Sequence, residues 1–187
     1  VDKYDKAEQE YHEGKLEENE KRAFELSQIK EITKEKPNPL PYKHLVTLSQ
    51  SKTNLDEIIE ALKRTGEASE INENKLKERV KCIKQWIRNY APESLVFEIQ
   101  KEKPEIDFDN KQKKCITLLS EKLRTIEWTP ESIHNSFYDL QEQNQIPAKN
   151  FFKIMYNVLL NKERGPRLGF FLAIMDKEFI IERLESY

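Results

Sequence analysis

Only four glycines occur in the 187 residues, at positions 14, 66, 165 and 169. Neither a GxGxxG nor a GxxxxGK spacing can be written with them, which excludes a dinucleotide fingerprint and a phosphate loop. The three histidines, His12, His44 and His134, stand apart from one another and from the two cysteines, Cys82 and Cys115. No zinc-ligand spacing results, and the histidines read as surface or helix-packing residues. Two cysteines so far apart suit a reducing compartment better than a disulfide scaffold. No apolar run approaches the roughly 20 residues that span a bilayer, and no signal peptide is visible. An excess of one charge is also missing: 32 bases face 34 acids, a net charge of −2. Any contact with nucleic acid must therefore come from local basic patches, not from the whole molecule.

What is present is apolar spacing of helical period through most of the chain, which argues against disorder. Residues 1–36 are dense in charge of both signs. Tyr4 and Tyr11, seven apart, are placed to anchor one face of a first helix that Gly14 ends. Ala23 to Ile29 alternates apolar and polar residues, which predicts a short strand. Proline-rich residues 37–41 form a stiff connector that opens a helix at Tyr42, with Leu45, Val46 and Leu48 inward. Asn54 and Glu57 form a capping-box-like pair ahead of the stripe Leu55, Ile58, Ile59 and Leu62, and Gly66 stops that helix. From Asn72 to Tyr90, Leu76, Val80, Ile83, Ile87 and Tyr90 step by four and three, the period of a buried face. Beside them Lys77, Lys81, Lys84 and Arg88 step by the same intervals, with Glu78 the only acid between Lys75 and Arg88. Such a stripe is either an ordinary solvated face or a track for a phosphate backbone.

Ala91-Pro92 ends that helix, and a boundary between two helical subdomains is set near residues 92–108. Beyond it a helix from Asp109 to Ile126 buries Ile116, Leu119, Leu123 and Ile126. Thr129 and Pro130 start another, with Ile133, Phe137 and Leu140 inward. Pro147 opens an aromatic helix carrying Phe151, Met155 and Val158. Gly165-Pro166 is read as ending that helix and starting the next, with Pro166 at its first position. Leu168, Phe171, Leu172 and Met175 continue the spacing, and Asp176 caps a last helix with Ile180, Ile181 and Leu184 inward. Around the Gly-Pro break Lys149, Lys153, Lys162, Arg164 and Arg167 face a single acid, Glu163. A helix start flanked by arginines suits a phosphate backbone, and the competing reading is a capped turn with solvated charges. No pocket that would retune a carboxylate is visible in the sequence, so nothing marks the chain itself as catalytic.

The run KERGPRLG at 162–169, followed by DKEFIIERL at 176–184, resembles the C-terminus of class I lysyl-tRNA synthetases. PLPYKHLVTLSQ (39–50), WTPESIHNSF (128–137) and NFFKIMYNVLL (150–160) resemble segments of the same family, while its HIGH-like and KMSKS-like catalytic signatures are absent. The resemblance implies an all-α fold of two consecutive helical bundles forming an anticodon-binding helical cage. Residues 1–36 then connect to a catalytic part outside this chain, 37–100 form the first helical subdomain, and 101–187 form the anticodon-binding subdomain. It further implies recognition of a lysine tRNA anticodon by Gly165, Pro166, Arg167 and Leu168, with Arg164 beside them. Tyr156 stands where glutamyl relatives carry an arginine, so its ring is expected to stack on an unpaired base. Lys77, Lys81, Lys84, Arg88, Lys149 and Lys153 are the expected backbone contacts. The resemblance implies ATP and magnesium for the parent enzyme and none for this region. It also implies a cytoplasmic monomer that binds neither DNA nor membrane. The alternative, which the net negative charge favours, is a helical protein–protein interaction module without RNA.

Overall fold

In the computed structural model, residues 2–29, 31–32, 40–66 and 71–187 are described. They form ten helices and, among the described residues, no strand. The helices are α1 (Asp2–His12), α2 (Glu18–Leu26), α3 (Tyr42–Ser51), α4 (Leu55–Arg64), α5 (Glu73–Asn89), α6 (Asn110–Thr125), α7 (Pro130–Asn144), α8 (Ala148–Leu160), α9 (Leu168–Ala173) and α10 (Lys177–Glu185). The all-helical expectation therefore holds.

Local chemistry sets half of the starts. Asn54, Asn72, Asp109, Thr129 and Asp176 each accept a hydrogen bond from the backbone N–H three residues on. Such a cap satisfies an amide that has no partner inside the helix. At α4 the pairing is shifted by one residue: Glu57 reaches back to the Thr53 amide at 2.9 Å, not to that of Asn54. Gly14 and Gly66 lie at positive φ after α1 and α4, the left-handed position that glycine fills without strain.

Four sequence expectations are corrected. The strand expected over Ala23–Ile29 is the end of α2 and the turn after it. Phe24, its one buried residue, lies 5.6 Å from the Tyr4 ring and 4.8 Å from the Tyr11 ring. That three-ring contact needs only one inward residue from α2, so Leu26 and Ile29 point to solvent. Tyr90 is not part of the buried face of α5 but is 77% exposed, because the helix ends at Asn89. Asn161, at φ 51°, ends α8, four residues before Gly165. Pro166 precedes α9 and does not begin it, since Arg167 is the N-cap. The connector expected at 37–41 lies mostly outside the described residues, which resume at Leu40.

Short as it is, α9 is the centre of the second half. All six of its residues are buried, as expected of a helix that is apolar all round. The carbonyls just after it are held from two sides: Arg64 Nη2 of α4 donates to the Ile174 oxygen at 2.7 Å, and Trp128 Nε1 to that of Met175 at 3.2 Å. Leu40 to Leu184 contribute to one buried apolar cluster.

Residues 90–109 carry no helix. Within them residues 93–95 form a turn, and beyond it Phe97 is buried and Glu98 exposed. Among the described residues no strand lies beside this segment, so its polar groups find other partners, as buried backbone must. Gln50 of α3 holds Leu95 and Phe97, Lys162 holds the Val96 carbonyl, and the Gln100 amide donates to the Leu159 carbonyl at 2.8 Å. Arg183 of α10 takes the Gln100 and Lys101 carbonyls at 2.9 and 2.8 Å.

Candidate nucleic-acid interface

The loop from Asn161 to Arg167 is shaped by what α8 places beneath it. Tyr156 is half-buried, and its hydroxyl donates to the Pro166 carbonyl at 2.6 Å. Burial pushes its phenol up from the ordinary tyrosine range, so the hydroxyl keeps the proton it donates. Its ring lies flat enough against the loop that a β-carbon on Gly165 would sit 2.7 Å from ring carbon Cδ1. Gly165 is therefore required by close approach; it is not among the residues at positive φ. Tyr156 acts as a strut under the loop, which the sequence pattern could not distinguish from a free stacking ring. Replacing Tyr156 by Phe is expected to lower stability by about 1 kcal/mol, since it strands the Pro166 carbonyl. A denaturant titration checks this, and an unchanged midpoint would refute the strut.

With the loop so held, Arg164 and Arg167 are exposed while Leu168 is buried. Leu168 supports the loop from below. Lys153 pairs with Glu163 at 2.5 Å. That hydrogen bond, and then the attraction of Lys153 and Arg164, hold the Glu163 carboxyl below the usual carboxylate range. Lys153 thus faces a fixed negative charge, whereas Lys149 is exposed without an ion pair among the described residues.

The two arginines border a cleft of about 760 Å³. Its floor and far wall come from distant parts of the chain: Tyr42, His44, Val46, Thr47 and Gln50 of α3, Trp86 of α5, and residues 94–97. Among the described residues, Lys3, Lys43, Arg164 and Arg167 are its charged lining residues, and no carboxylate is with them. In a chain of net negative charge that is a local concentration of positive potential. Aromatic faces stand beside it. The His44 ring stacks on Phe170 at 3.9 Å, and Tyr42 meets Trp86 edge-on at 6.4 Å. Burial, its largest cause, pushes the Tyr42 phenol up, so the hydroxyl stays neutral. Cations for phosphate and flat rings for bases are the two components of a single-strand nucleic-acid site.

The expected residues divide between two places. Arg164, Gly165, Pro166 and Arg167 line the cleft, and Tyr156 supports it. Lys77, Lys81, Lys84 and Arg88 are exposed. At about 100° per residue they come out on the opposite side of α5 from Trp86, and Lys84 donates to the Thr53 carbonyl at 3.0 Å. The stripe is thus a separate face. Sequence reasoning missed Lys3, Tyr42, His44 and Trp86, whose only signal was a basic and aromatic composition scattered over 84 positions. No described helix is long and apolar enough to cross a membrane.

Residues 74–187 match the protein family described as anticodon binding domain. Over its whole length the chain is 32% identical to the lysine–tRNA ligase of Picrophilus torridus, of which it covers 36%. It is 33% identical to that of Thermococcus kodakarensis over 98% of this chain and 37% of the relative. To that of Thermoplasma acidophilum it is 34% identical over 81% of this chain and 30% of the relative. The chain thus spans about a third of the length of these curated relatives.

Proposed function

We propose, on the premise that the chain belongs to the anticodon binding domain family, that it reads the anticodon of a lysine tRNA for a longer lysine–tRNA ligase. The observation that carries this reading is the cleft beside the 164–167 loop, with four cations, several aromatic faces and no carboxylate among its described lining residues. Unpaired anticodon bases enter it. Arg164 and Arg167 supply bidentate donors to base edges or phosphate, and Tyr156 holds the loop that carries them. The face with Lys77, Lys81, Lys84 and Arg88, together with Lys149 and Lys153, follows the backbone, which positions RNA without reading its sequence. Activation of lysine with ATP and magnesium belongs to the part of the parent protein that carries the catalytic signatures, in the cytoplasm. The alternative of a protein–protein module is disfavoured by the family match.

The test is a titration of the chain with a lysine tRNA transcript and with the same transcript carrying a substituted anticodon. Replacing Arg164 or Arg167 by Ala is expected to weaken the cognate complex by roughly 1–3 kcal/mol and to narrow the gap between the two transcripts. Should both variants fold and bind both transcripts as the parent does, the cleft is not the anticodon site.

A further inference from the structure

Three consecutive residues on one wall of the cleft are held by side chains from two different elements. Gln50 Nε2 donates to the Leu95 carbonyl at 3.2 Å, and Gln50 Oε1 accepts from the Phe97 amide at 2.9 Å. Between them, Lys162 Nζ donates to the Val96 carbonyl at 2.6 Å. Gln50 belongs to α3, on the aromatic side of the cleft, and Lys162 lies two residues before Arg164 in the loop. The wall is thereby tied on one side to the stacking surface and on the other to the arginine loop.

Two of these ties, those to Leu95 and Val96, are solvent-exposed, and Leu95 itself is 52% exposed. Hydrogen bonds in water's reach add little to stability, since water offers the same partners. What they do fix is distance. A primary amide that donates to one backbone carbonyl and accepts from the backbone amide two positions on offers what a neighbouring strand would, and so holds the segment in place. The ammonium of Lys162 is directed at a carbonyl of the opposite wall, which joins the arginine loop to that wall.

We propose that Gln50 and Lys162 are positioning residues that set the width of the cleft before RNA arrives, and through it how sharply one anticodon is told from another. This rests on the cleft being the anticodon site. A site held in shape in advance loses less freedom on binding the ligand that fits, and it cannot relax around one that does not. Loosening the wall therefore penalises the cognate complex and leaves the poorly fitting one unaffected.

The experiment measures binding of the chain to the lysine tRNA transcript and to the anticodon-substituted transcript across a salt series, for the parent, Gln50→Ala, Gln50→Glu and Lys162→Met. The expected result is a cognate affinity lower by roughly three- to tenfold for Gln50→Ala and Lys162→Met, with the substituted transcript unchanged. Gln50→Glu, which keeps the acceptor for Phe97 and loses the donor to Leu95, falls between. The salt slope of Lys162→Met stays that of the parent. A slope smaller by about one, with both transcripts weakened alike, makes Lys162 a phosphate contact and overturns the proposal. Unchanged discrimination in Gln50→Ala and Lys162→Met, both folded by circular dichroism, overturns it too. If the parent itself does not discriminate, the anticodon reading falls and the proposal with it. If the parent and Arg164→Ala differ in discrimination while the wall variants match the parent, the proposal alone falls.

Discussion

Replacing Arg183 by Met is expected to remove about 3 kcal/mol of folding stability, although the position faces neither the cleft nor, among the described residues, a carboxylate. Arg183 is buried, 7% exposed. Its guanidinium donates to the Val158 carbonyl at 2.9 Å through Nη1 and to the Gln100 and Lys101 carbonyls through Nη2. Val158 lies in the last turn of α8, where carbonyls lack partners and the helix dipole is negative. A cation there is stabilised by dipoles in place of a counter-ion, and the Phe179 ring, 5.0 Å away, adds its face. Met fills much of the volume but leaves three carbonyls without that donor. Lys is expected to rescue little, because one ammonium cannot match a planar fork aimed at two elements. At about 2–4 °C per kcal/mol for a chain of this length, the midpoint of thermal unfolding should fall by about 6–12 °C. A shift below about 2 °C for Arg183→Met would show that water replaces the guanidinium without loss.

The second large effect is expected at Gly169, where alanine should destabilise in spite of its higher helix propensity. In an open helical position Gly→Ala gains roughly 0.5–1 kcal/mol. Here a β-carbon would lie 2.5 Å from the Pro130 carbonyl oxygen and 3.1 Å from His134 Cβ. The first is backbone in the opening turn of α7, which cannot swing aside as a side-chain tip can. Either α9 moves off α7 or the turn deforms, and overpacking of this kind costs about 1–3 kcal/mol. Because α9 is buried on every side, its displacement is transmitted to Phe171 and to the Phe97 ring, which meets it edge-on at 5.5 Å. Chemical denaturation of Gly169→Ala decides the sign. A variant as stable as the parent, or more so, would contradict the close approach.

The comparison of sequence with structure follows the distance over which each feature is decided. Caps such as Asn54, Thr129 and Asp176 act on an amide three residues away, so a short window of sequence contains both partners, and they were legible. The Ala23–Ile29 alternation is equally local, yet it misleads. Its seven residues suit either period, and the choice is made by Tyr4 and Tyr11 closing on Phe24. Arg183 sits in a run that reads as an ordinary last turn. Its partners lie 25 to 83 residues away, and nothing nearby in sequence marks it as buried. The interface divides in the same way. Arg164 to Arg167 are contiguous and were found, whereas Tyr42 and Trp86 become neighbours of that loop only through the packing of α3, α5 and α9.

One consequence concerns chain length. Segments outside helices, with exposed residues, are ordinarily where insertions and deletions are tolerated. Between Leu95 and Lys101 neither should be. Here Phe97 is buried and Ile99 is half-buried against the core, while Glu98 between them is exposed. Gln50, Lys162, the end of α8 and Arg183 between them hold Leu95, Val96, Phe97, Gln100 and Lys101. One residue more or fewer would offer every partner its neighbour's atom and turn an apolar side chain to solvent. The segment is thus a spacer of fixed count.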